Sequence, residues 1–398
     1  MTHMALSSSR SAARLAWPAF ILGVLAACSS TPLPERSPER VPVEDRPAAS
    51  VPATAAPSAP GSTTALLRAR ARWVPVDWAE LPGWDADRTS ELWPALMRSC
   101  ERPPFEWARL CRDAHKAGAM ATDGAARAWL QQRLAPYRVE SLEGAPEGLA
   151  TGYFEPLVEA SRTPRGPFRV PLYMAPADLA TRKPWYTRQQ LDTLPAVQAQ
   201  LKGRELAFVA DPLDALILQI QGSGRLQMNE ADGTRRLVRA AFAGHNDQPY
   251  KSVGKWLIEQ GELKPEQASW PAIKAWARMN PTRLNELMWS NPRVVFFKEE
   301  PIADPAAGPR GAQGVPLSPG RSIAVDAQSV PYGTPVWLDT TEPLSNTPLR
   351  RVVLAQDTGT AITGAVRADY FWGWGEQAEQ QAGRMKQPLR MWVLWPRS

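Results

Sequence analysis

Three aspartates near the C-terminus have the side chains and positions that suit acid catalysis. Asp326 and Asp357 each follow a short apolar run, and Asp369 precedes the aromatic cluster Tyr370–Trp374. A rigid strand end would hold each carboxyl above a sheet, so we expect the three to converge on one cleft. Because close carboxylates resist ionising together, the pKa of one should rise and leave a protonated general acid at neutral pH.

Each of these aspartates, taken alone, also fits an ordinary structural role. Asp before Thr-Gly, as at Asp357, commonly forms a turn that bonds its own backbone. The aromatic cluster beside Asp369 favours chemistry, because exposed rings next to an acid suit a sugar-binding cleft. Buried rings would suit a core equally well. Trp372 and Trp374 are the candidates for stacking on a sugar.

Signatures of other enzyme classes are absent from the sequence or incomplete in it. There is no GxSxG elbow, no P-loop and no GxGxxG after a strand. Asp357-Thr358-Gly359 is the tripeptide of aspartic proteases, but that class needs two such aspartates in one dyad, supplied by a second copy or by dimerisation, and this sequence has no second copy. His115 and His245 have no ligand-type residue at metal spacing, and three acids alone hold a hard cation weakly. We therefore expect no metal and no other cofactor.

The N-terminus has the pattern of a secreted lipoprotein. Basic residues precede the short apolar run Leu15–Leu25, which ends in a Leu-Ala-Ala-Cys sequence that resembles a lipobox. A run this short is typical of a cleaved signal rather than a membrane-spanning helix. We expect residues 1–27 to be a signal peptide and Cys28 to carry a lipid anchor. An ordinary signal peptide with a chance cysteine is the alternative.

The segment after this leader and the net charge point to a tethered protein. Residues 28–63 are rich in Pro, Ala, Ser and Thr, which predicts an extended tether that cannot bury enough apolar surface to fold. Ser29, rather than Asp, favours sorting to the outer membrane. Loss of Arg10 and Arg14 with the leader lowers the formal charge from +6 to +4. This diffuse basicity suits a polymer carrying carboxylates and argues against nucleic acid as a partner.

The remaining chain is long enough for two domains and is mainly β in pattern, with helical segments. Helical spacing runs through residues 77–134 and again through 253–292. Short apolar runs between Pro and Gly predict strands elsewhere, including residues 215–228, and a small closed barrel in the C-terminal part. Cys100 and Cys111 are predicted to form a disulfide, two buried thiols being the alternative.

Several segments, in order along the chain, resemble the membrane-bound lytic murein transglycosylase A family, including its three-aspartate domain. The resemblance extends from about Leu149 to the C-terminus. The matching segments are Thr151–Pro156, Gln219–Gly224, Asn291–Phe297, Ala324–Asp326 with Pro331–Trp337, Asp357–Gly364, and Arg367–Gly373.

The resemblance implies a mainly β fold with helical segments, in which a double-psi β-barrel domain contains a second, inserted β-barrel domain. Residues 64–152 would form the N-terminal part of the first domain and residues 153–296 the insert. Residues 297–398 would complete the first domain as its three-aspartate part. Glycan would lie in the groove between the two barrels.

The resemblance also implies a reaction and a set of site residues. The reaction is lytic cleavage of the β-1,4 bond between N-acetylmuramic acid and N-acetylglucosamine in peptidoglycan, giving 1,6-anhydromuramyl products without water. The implied catalytic residue is Asp369, chosen over Asp357 for its Phe-x-Gly context, acting as acid and then as base. Asp326 and Asp357 would support it. The implied substrate-binding residues are Thr151, Gly152, Tyr153, Gln219, Gln221, Gly222, Ser223, Gly224 and Trp372.

The partners implied are peptidoglycan glycan strands, the outer membrane through a lipid anchor at Cys28, and other murein enzymes. The enzyme class implied is a peptidoglycan lytic exotransglycosylase, a carbon–oxygen lyase, although the sequence alone leaves exo and endo action open. Two rival interpretations are a glycan-binding module without catalysis and an aspartic protease using Asp357. Retention of all three aspartates argues against the first, and the missing second Asp-Thr/Ser-Gly against the other.

Overall fold

Residues 64–397 are described by the computed structural model, and their strands form two sheets. The predicted signal peptide (1–27), the lipidation site Cys28 and the predicted tether (28–63) lie outside the described residues. Within the described part, no helix combines the length and the apolar character needed to cross a membrane.

The helices and strands alternate in blocks along the chain. In chain order the strands are β1 (Leu66–Leu67), β2 (Arg72–Pro75), β3 (Leu134–Glu140), β4 (Gly148–Glu155), β5 (Leu157–Ser161), β6 (Val170–Tyr173), β7 (Glu205–Val209), β8 (Gly224–Asn229), β9 (Arg235–His245), β10 (Val295–Pro301), β11 (Ser322–Val325), β12 (Pro335–Thr341), β13 (Pro348–Asp357), β14 (Arg367–Trp374) and β15 (Lys386–Pro396). The α-helices are α1 (Leu92–Ser99), α2 (Ala108–Ala117), α3 (Asp123–Arg133), α4 (Arg188–Thr193), α5 (Pro195–Leu201), α6 (Pro212–Gln221), α7 (Val253–Glu259), α8 (Trp270–Met279), α9 (Leu284–Ser290) and α10 (Glu376–Ala382). Short 3-10 helices lie at Trp78–Glu80, Trp84–Ala86, Thr89–Glu91, Phe105–Trp107, Pro265–Gln267 and Pro281–Arg283.

The first sheet closes into a barrel. Around the ring, β4 pairs with β15, and β12, β13, β11 and β14 follow until β14 returns to β4. The pairings of β11 with β13 and of β14 with β4 are parallel, and the others in the ring are antiparallel. Strands β3, β2 and β1 extend the sheet from β15. The mainly β, barrel-based fold predicted from the sequence is therefore confirmed.

Alternating side chains of this barrel fill two separate cores. Val336, Val353 and Val393 face the barrel interior. Their strand neighbours Trp337 and Trp392 face outward and pack against helices α1, α2 and α3. Successive side chains of a strand point to opposite faces, and both faces of these strands are covered, so successive residues are apolar. The same helical layer contains the disulfide between Cys100 and Cys111, whose Cα atoms lie 5.3 Å apart.

The second sheet is built from the segment between β4 and β11. Its strand order is β10-β9-β8-β5-β7-β6, and a bridge between Met174 and Phe297 brings its two edges together. Leu226, Val238 and Phe297 are among the fully or almost fully buried side chains of its interior. The implied boundary between residues 152 and 153 falls inside β4, which stays in the first barrel as far as Glu155.

The strand predicted over residues 215–228 is wrong in its first half. Residues up to Gln221 belong to helix α6, and only Gly224–Asn229 form a strand. The helix begins because the Asp211 carboxyl accepts a hydrogen bond from the Leu213 N–H at 2.8 Å, with Pro212 in the first turn. It ends at Gly222, whose φ of 81° is left-handed.

Helix α6 carries apolar side chains on several faces, and a different element covers each of them. Leu218 packs in the interior of the second barrel and Leu216 packs against helices α7 to α9. Ile217 contacts a cluster that includes Ala378 and Ala382 of α10 in the first domain. The C-terminal end of α6 is thereby fixed between the two barrels.

Candidate active site

A cleft of about 670 Å³ lies between the two barrels. From the first barrel it is lined by residues of β4, β14 and the loop after β13, and from the second by β9, β10 and the end of α6. Asp357 and Asp369 both lie on this lining. Two of the three predicted aspartates therefore meet in one cleft.

Asp369 is held by the pairing of two barrel strands. It lies within β14 rather than at a strand end, and Thr151 of β4 is its register partner. The Thr151 hydroxyl donates a hydrogen bond of 2.5 Å to the Asp369 carboxyl. Arg367 donates in turn to the Thr151 hydroxyl oxygen at 2.8 Å. The sequence interpretation missed Arg367, which a two-residue period along β14 would have placed on the same face as Asp369.

Asp357 is the last residue of β13, and both oxygens of its carboxyl accept hydrogen bonds. The Tyr153 hydroxyl donates to one oxygen at 3.0 Å, and the Ala312 backbone N–H donates to the other at 2.9 Å. Tyr153 follows Thr151 by two residues in β4, so the two side chains reach neighbouring carboxyls from one strand face. The ring of Tyr153 packs on Phe371 with centroids 5.1 Å apart.

Burial perturbs the acidity of this group of side chains. Burial raises the pKa of Asp357 to about 6, against hydrogen bonds from backbone N–H groups and Tyr153, and the charge of Asp369 raises it further. Burial also raises the pKa of Asp369, although the Thr151 hydrogen bond and the charge of Arg367 oppose the shift. Burial and both carboxylates hold the pKa of Tyr153 well above its usual value, so its hydroxyl remains a donor. Raised carboxyl pKa values are what a general acid requires.

Asp326 does not line the cleft, which corrects the expectation of three converging carboxyls. Its carboxyl accepts hydrogen bonds from the Gly364 N–H at 2.9 Å and the Gln328 N–H at 3.0 Å, and it pairs with Arg70 at 3.2 Å. The bond from Gln328 stabilises the turn after β11, which is the ordinary turn role of an aspartate, and the contacts with Gly364 and Arg70 tie this turn to two other loops.

The glycan-binding residues predicted from the resemblance divide into two groups. The cleft lining includes Thr151, Gly152, Tyr153, Gln219, Gln221, Gly222 and Ser223. Gly224 and Trp372 are not part of it. Gly224 is buried against Leu218, and a Cβ there would lie 2.0 Å from the Leu218 side chain.

Trp372 packs under β4 instead of facing a sugar. Along β14, Asp369 and Phe371 face the cleft, so Tyr370 and Trp372 face the opposite side and pack together with ring centroids 4.9 Å apart. Gly152 allows this close approach, because a Cβ at that position would lie 2.7 Å from Nε1 of Trp372. The side chain of Trp372 is therefore a packing element.

The second barrel contributes residues that the sequence interpretation did not assign to the site. Phe242 is half exposed on the lining, and Arg293 reaches across to donate a hydrogen bond of 2.5 Å to Thr360 in the loop after Asp357. Arg293 lies in Asn291–Phe297, one of the segments that carry the family resemblance, but the sequence around Arg293 does not indicate this contact. Within residues 64–397, no group of three or more His, Cys, Asp or Glu side chains is placed to hold a metal ion.

Comparison with known proteins gives concordant matches. The model of the MltA specific insert domain matches residues 149–298, and that of the 3D domain matches residues 321–395. Membrane-bound lytic murein transglycosylase A of Vibrio cholerae is 35% identical over 256 residues, which are 62% of this chain and 65% of the relative. The chain thus spans just under two thirds of that relative's length.

Solved structures match over more of the chain. The lytic transglycosylase LtgG of Burkholderia pseudomallei is 47% identical, with 83% of this chain and 97% of that chain covered and a TM-score of 0.58. MltA of Escherichia coli with bound chitohexaose is 25% identical, with 84% and 95% covered and a TM-score of 0.66.

Proposed function

We propose that this chain, which belongs to the membrane-bound lytic murein transglycosylase A family, cleaves peptidoglycan glycan strands between N-acetylmuramic acid and N-acetylglucosamine. The products would end in 1,6-anhydromuramic acid. The observation that carries the proposal is the cleft between the barrels, in which Asp369 has a raised pKa and receives the Thr151 hydrogen bond. Chitohexaose bound to the Escherichia coli relative supports an amino-sugar polymer as the ligand.

In the proposed mechanism one carboxyl acts twice. Protonated Asp369 donates its proton to the glycosidic oxygen as the bond from that oxygen to C1 of the muramyl residue breaks and oxocarbenium character develops. The Asp369 carboxylate then takes the proton of the C6 hydroxyl, whose oxygen closes on C1. The enzyme returns to its starting state and water is not consumed, so no second catalytic carboxylate is needed.

Asp357 has a supporting part in this mechanism. Its position is fixed by the Tyr153 hydroxyl and the Ala312 N–H, and it is electrostatically coupled to Asp369. It would orient the group of side chains around the reacting bond and tune their charge. Asp326 takes part in no step of the reaction, because its carboxyl lies outside the cleft and accepts hydrogen bonds from the backbone N–H groups of Gln328 and Gly364.

The direct test of the residue assignment is the substitution Asp369→Asn. Release of anhydromuramyl products from purified sacculi should disappear, while the melting temperature and sugar binding stay close to those of the wild type. Asp232→Asn, a change on an exposed turn of the second barrel, is the matched control and should keep full activity. Near-normal turnover by Asp369→Asn would refute the assignment.

Two rival functions predict different results in the same assay. A glycan-binding module would bind sacculi and release nothing from them. An aspartic protease would cleave peptide stems in a pepstatin-sensitive way, but a protease dyad needs two aspartates of that kind. The partner of Asp357 in this cleft is the Asp369 carboxyl of an Arg-Ala-Asp-Tyr sequence, which is not the repeat of an aspartic protease.

The proposed location is the periplasmic face of the outer membrane, to which a lipid attached to Cys28 would anchor the protein. The relatives are named membrane-bound, and the leader pattern supports the same location. Cys28→Ser should abolish incorporation of labelled fatty acid and release the protein into the soluble periplasmic fraction. Fatty-acid labelling that survives this change would contradict the anchor. Glycan strands and other murein enzymes are the proposed partners.

A further inference from the structure

Arg188 is a buried cation that the proposed mechanism does not use. The residue is 5% exposed, and within residues 64–397 it forms no direct ion pair, although the charge of Asp192 acts on it from further away. Its guanidinium donates instead to the backbone carbonyls of Asn291 at 3.1 Å and Arg293 at 2.5 Å. Burial lowers the pKa of Arg188 to about 10, which still leaves it charged at neutral pH. Burying a charged guanidinium is unfavourable in free energy, so we expect Arg188 to have a function other than packing.

The third acceptor of Arg188 is a side chain on the cleft. Its Nη2 donates to Oε1 of Gln219 at 2.7 Å, and Gln219 lies on the cleft lining near the end of α6. A guanidinium has five N–H donors and no acceptor, so the carbonyl oxygen of the Gln219 amide must face it. The amide Nε2 then points away from Arg188. No protein acceptor bonds this nitrogen within the described part of the chain, and it is not enclosed.

Gln221 shows the same arrangement two residues later. Its Oε1 accepts a hydrogen bond from the backbone N–H of Phe154 at 3.1 Å, which fixes that amide in the same sense. Gln221 also lies on the cleft lining. Both glutamines therefore lie on the cleft lining with the amide oxygen bonded to a protein donor, and within residues 64–397 neither amide nitrogen has a protein acceptor.

We propose that Arg188 is a positioning residue for substrate recognition, holding the Gln219 amide so that Gln219, with Gln221, offers N–H donors to the acetamido carbonyl oxygens of N-acetylated amino sugars. The inference rests on the proposed function and deepens it. A site with fixed donors discriminates against a ligand that lacks the matching acceptor, because the donors are then left unpaired. Glycan whose acetamido groups are replaced by hydroxyls should bind more weakly.

Gln219→Glu separates recognition from folding. A carboxylate at this position accepts a stronger, charge-assisted hydrogen bond from Arg188, so the melting temperature should be unchanged or higher. The same change removes the N–H donor from the cleft. Gln200→Glu is the matched control, because Gln200 lies exposed on α5 and the charge change is identical.

Calorimetric binding of two neutral hexamers reads out the effect without any turnover. The probes are β-1,4-linked N-acetylglucosamine hexamer and cellohexaose, which has hydroxyls in place of the acetamido groups. The wild type and Gln200→Glu should prefer the acetylated hexamer. Gln219→Glu should lose about tenfold of its affinity for the acetylated hexamer and little of its affinity for cellohexaose, as expected for one hydrogen bond.

Arg188→Lys tests the positioning role itself. A lysine keeps the positive charge but lacks the planar fork that reaches three acceptors, so the Gln219 amide is free to turn. The preference for the acetylated hexamer should fall as it does in Gln219→Glu, with KM on sacculi raised more than kcat is lowered. A loss of stability alone would leave the preference unchanged in the folded fraction.

Each outcome decides either the inference or the reaction. Unaltered discrimination in Gln219→Glu would overturn the role of Gln219 and Arg188, even if wild-type protein releases anhydromuramyl products. Equal binding of both hexamers by the wild type would overturn it as well. If the wild type prefers the acetylated hexamer and Gln219→Glu loses that preference, but the wild type releases no anhydromuramyl products, the proposed reaction is overturned and the recognition of N-acetyl groups stands.

Discussion

Thr151 and Asp369 are register partners in the parallel pairing of β4 with β14, and the Thr151 hydroxyl donates a hydrogen bond to the Asp369 carboxyl. They are 218 positions apart in the sequence, on opposite sides of the inserted barrel. Closing the first barrel therefore does two things at once. It brings the acid to its donor, and it places the insert above them as the other wall of the cleft.

Loss of the Thr151 hydroxyl should move the pH dependence of the reaction. The hydrogen bond from Thr151 lowers the pKa of Asp369, so Thr151→Val should raise that pKa. Because the proposed acid works protonated, activity falls as the pH rises through its pKa. The alkaline limb of the profile of kcat against pH should therefore shift to higher pH, with a lower maximum because the carboxyl is less well oriented.

The control for this prediction is Thr163→Val, at an exposed position of the second barrel. Its profile should match that of the wild type. An alkaline limb that stays in place or moves to lower pH in Thr151→Val would show that the titrating group is not Asp369.

Asp357 should make stability depend on pH in an identifiable direction. The pKa of its carboxyl is about 6 in the folded protein and about 3.8 for an ordinary aspartate, so the folded state binds the proton more tightly. The ionised carboxyl thus destabilises the fold above about pH 6, and this cost disappears as the pH falls towards 4. Relative to Asp357→Asn, the wild type should gain free energy of unfolding over that window.

Urea unfolding of both proteins at several pH values between about 4 and 7.5 measures this difference directly. Taking the difference between the two proteins cancels the titrating groups that do not interact with Asp357, and leaves the titration of Asp357 with its neighbour Asp369. A constant difference across the range would mean that the Asp357 carboxyl has an ordinary pKa in the folded protein.

Glu155 should be among the most costly carboxylates to remove. It is fully buried at the crossing between the barrels, where Arg225 donates to it at 2.8 Å and Arg239 also pairs with it. Both arginines also donate hydrogen bonds to the carbonyl of Ala307, in the segment between β10 and β11. The guanidinium of Arg225 lies 3.7 Å from the ring centroid of Trp374. Glu155→Ala leaves two buried cations without their anion, which should cost about 3–5 kcal/mol of unfolding free energy.

Glu159→Ala provides the matched comparison for Glu155→Ala. Glu159 lies four residues further on and pairs with Arg235 at 3.1 Å, but both side chains are exposed. Its loss should cost about 0–1 kcal/mol. Urea unfolding of both variants gives the two values, and equal costs would contradict the structural role assigned to the buried cluster.

The disulfide should matter for stability and not for chemistry. Cys100 and Cys111 lie in the helical layer outside the first barrel, and neither lines the cleft. The bond closes a short loop, so replacing both residues by serine should lower the unfolding free energy by about 2–3 kcal/mol. At a temperature where this variant stays folded, kcat should equal that of the wild type. A large loss of kcat in the folded protein would show a coupling between the helical layer and the cleft.

The sequence indicated the acids better than it indicated their surroundings. Asp357 and Asp369 meet as expected, because both follow from local motifs that the resemblance also marks. The orientation predicted for Trp372 was wrong because the alternation of Arg367 and Asp369, which places Trp372 on the opposite face of β14, was not applied to it. The aromatic residues Tyr370–Trp374 lie on both faces and do not themselves show which face lines the cleft. That choice is made by the pairing of β14 with β4 and β11.

The misassigned helix α6 has a similar cause. A continuous apolar run does not distinguish a buried strand from a buried helix, and only Asp211-Pro212 before it and Gly222 after it indicate a helix. The pairing of Arg188 with Gln219 joins positions 31 residues apart, and no local pattern predicts it. Contacts of this kind depend on how the second barrel closes around α6.

The most direct test of the proposed reaction is cleavage of purified peptidoglycan in water enriched in 18O, followed by mass spectrometry of the released muropeptides. If the C6 hydroxyl closes on C1 with Asp369 as acid and then base, the new termini are 1,6-anhydromuramyl residues that contain no 18O. Asp369→Asn should release none of them. Reducing muramic acid termini carrying 18O would show that water is the nucleophile and would contradict the mechanism proposed for this cleft.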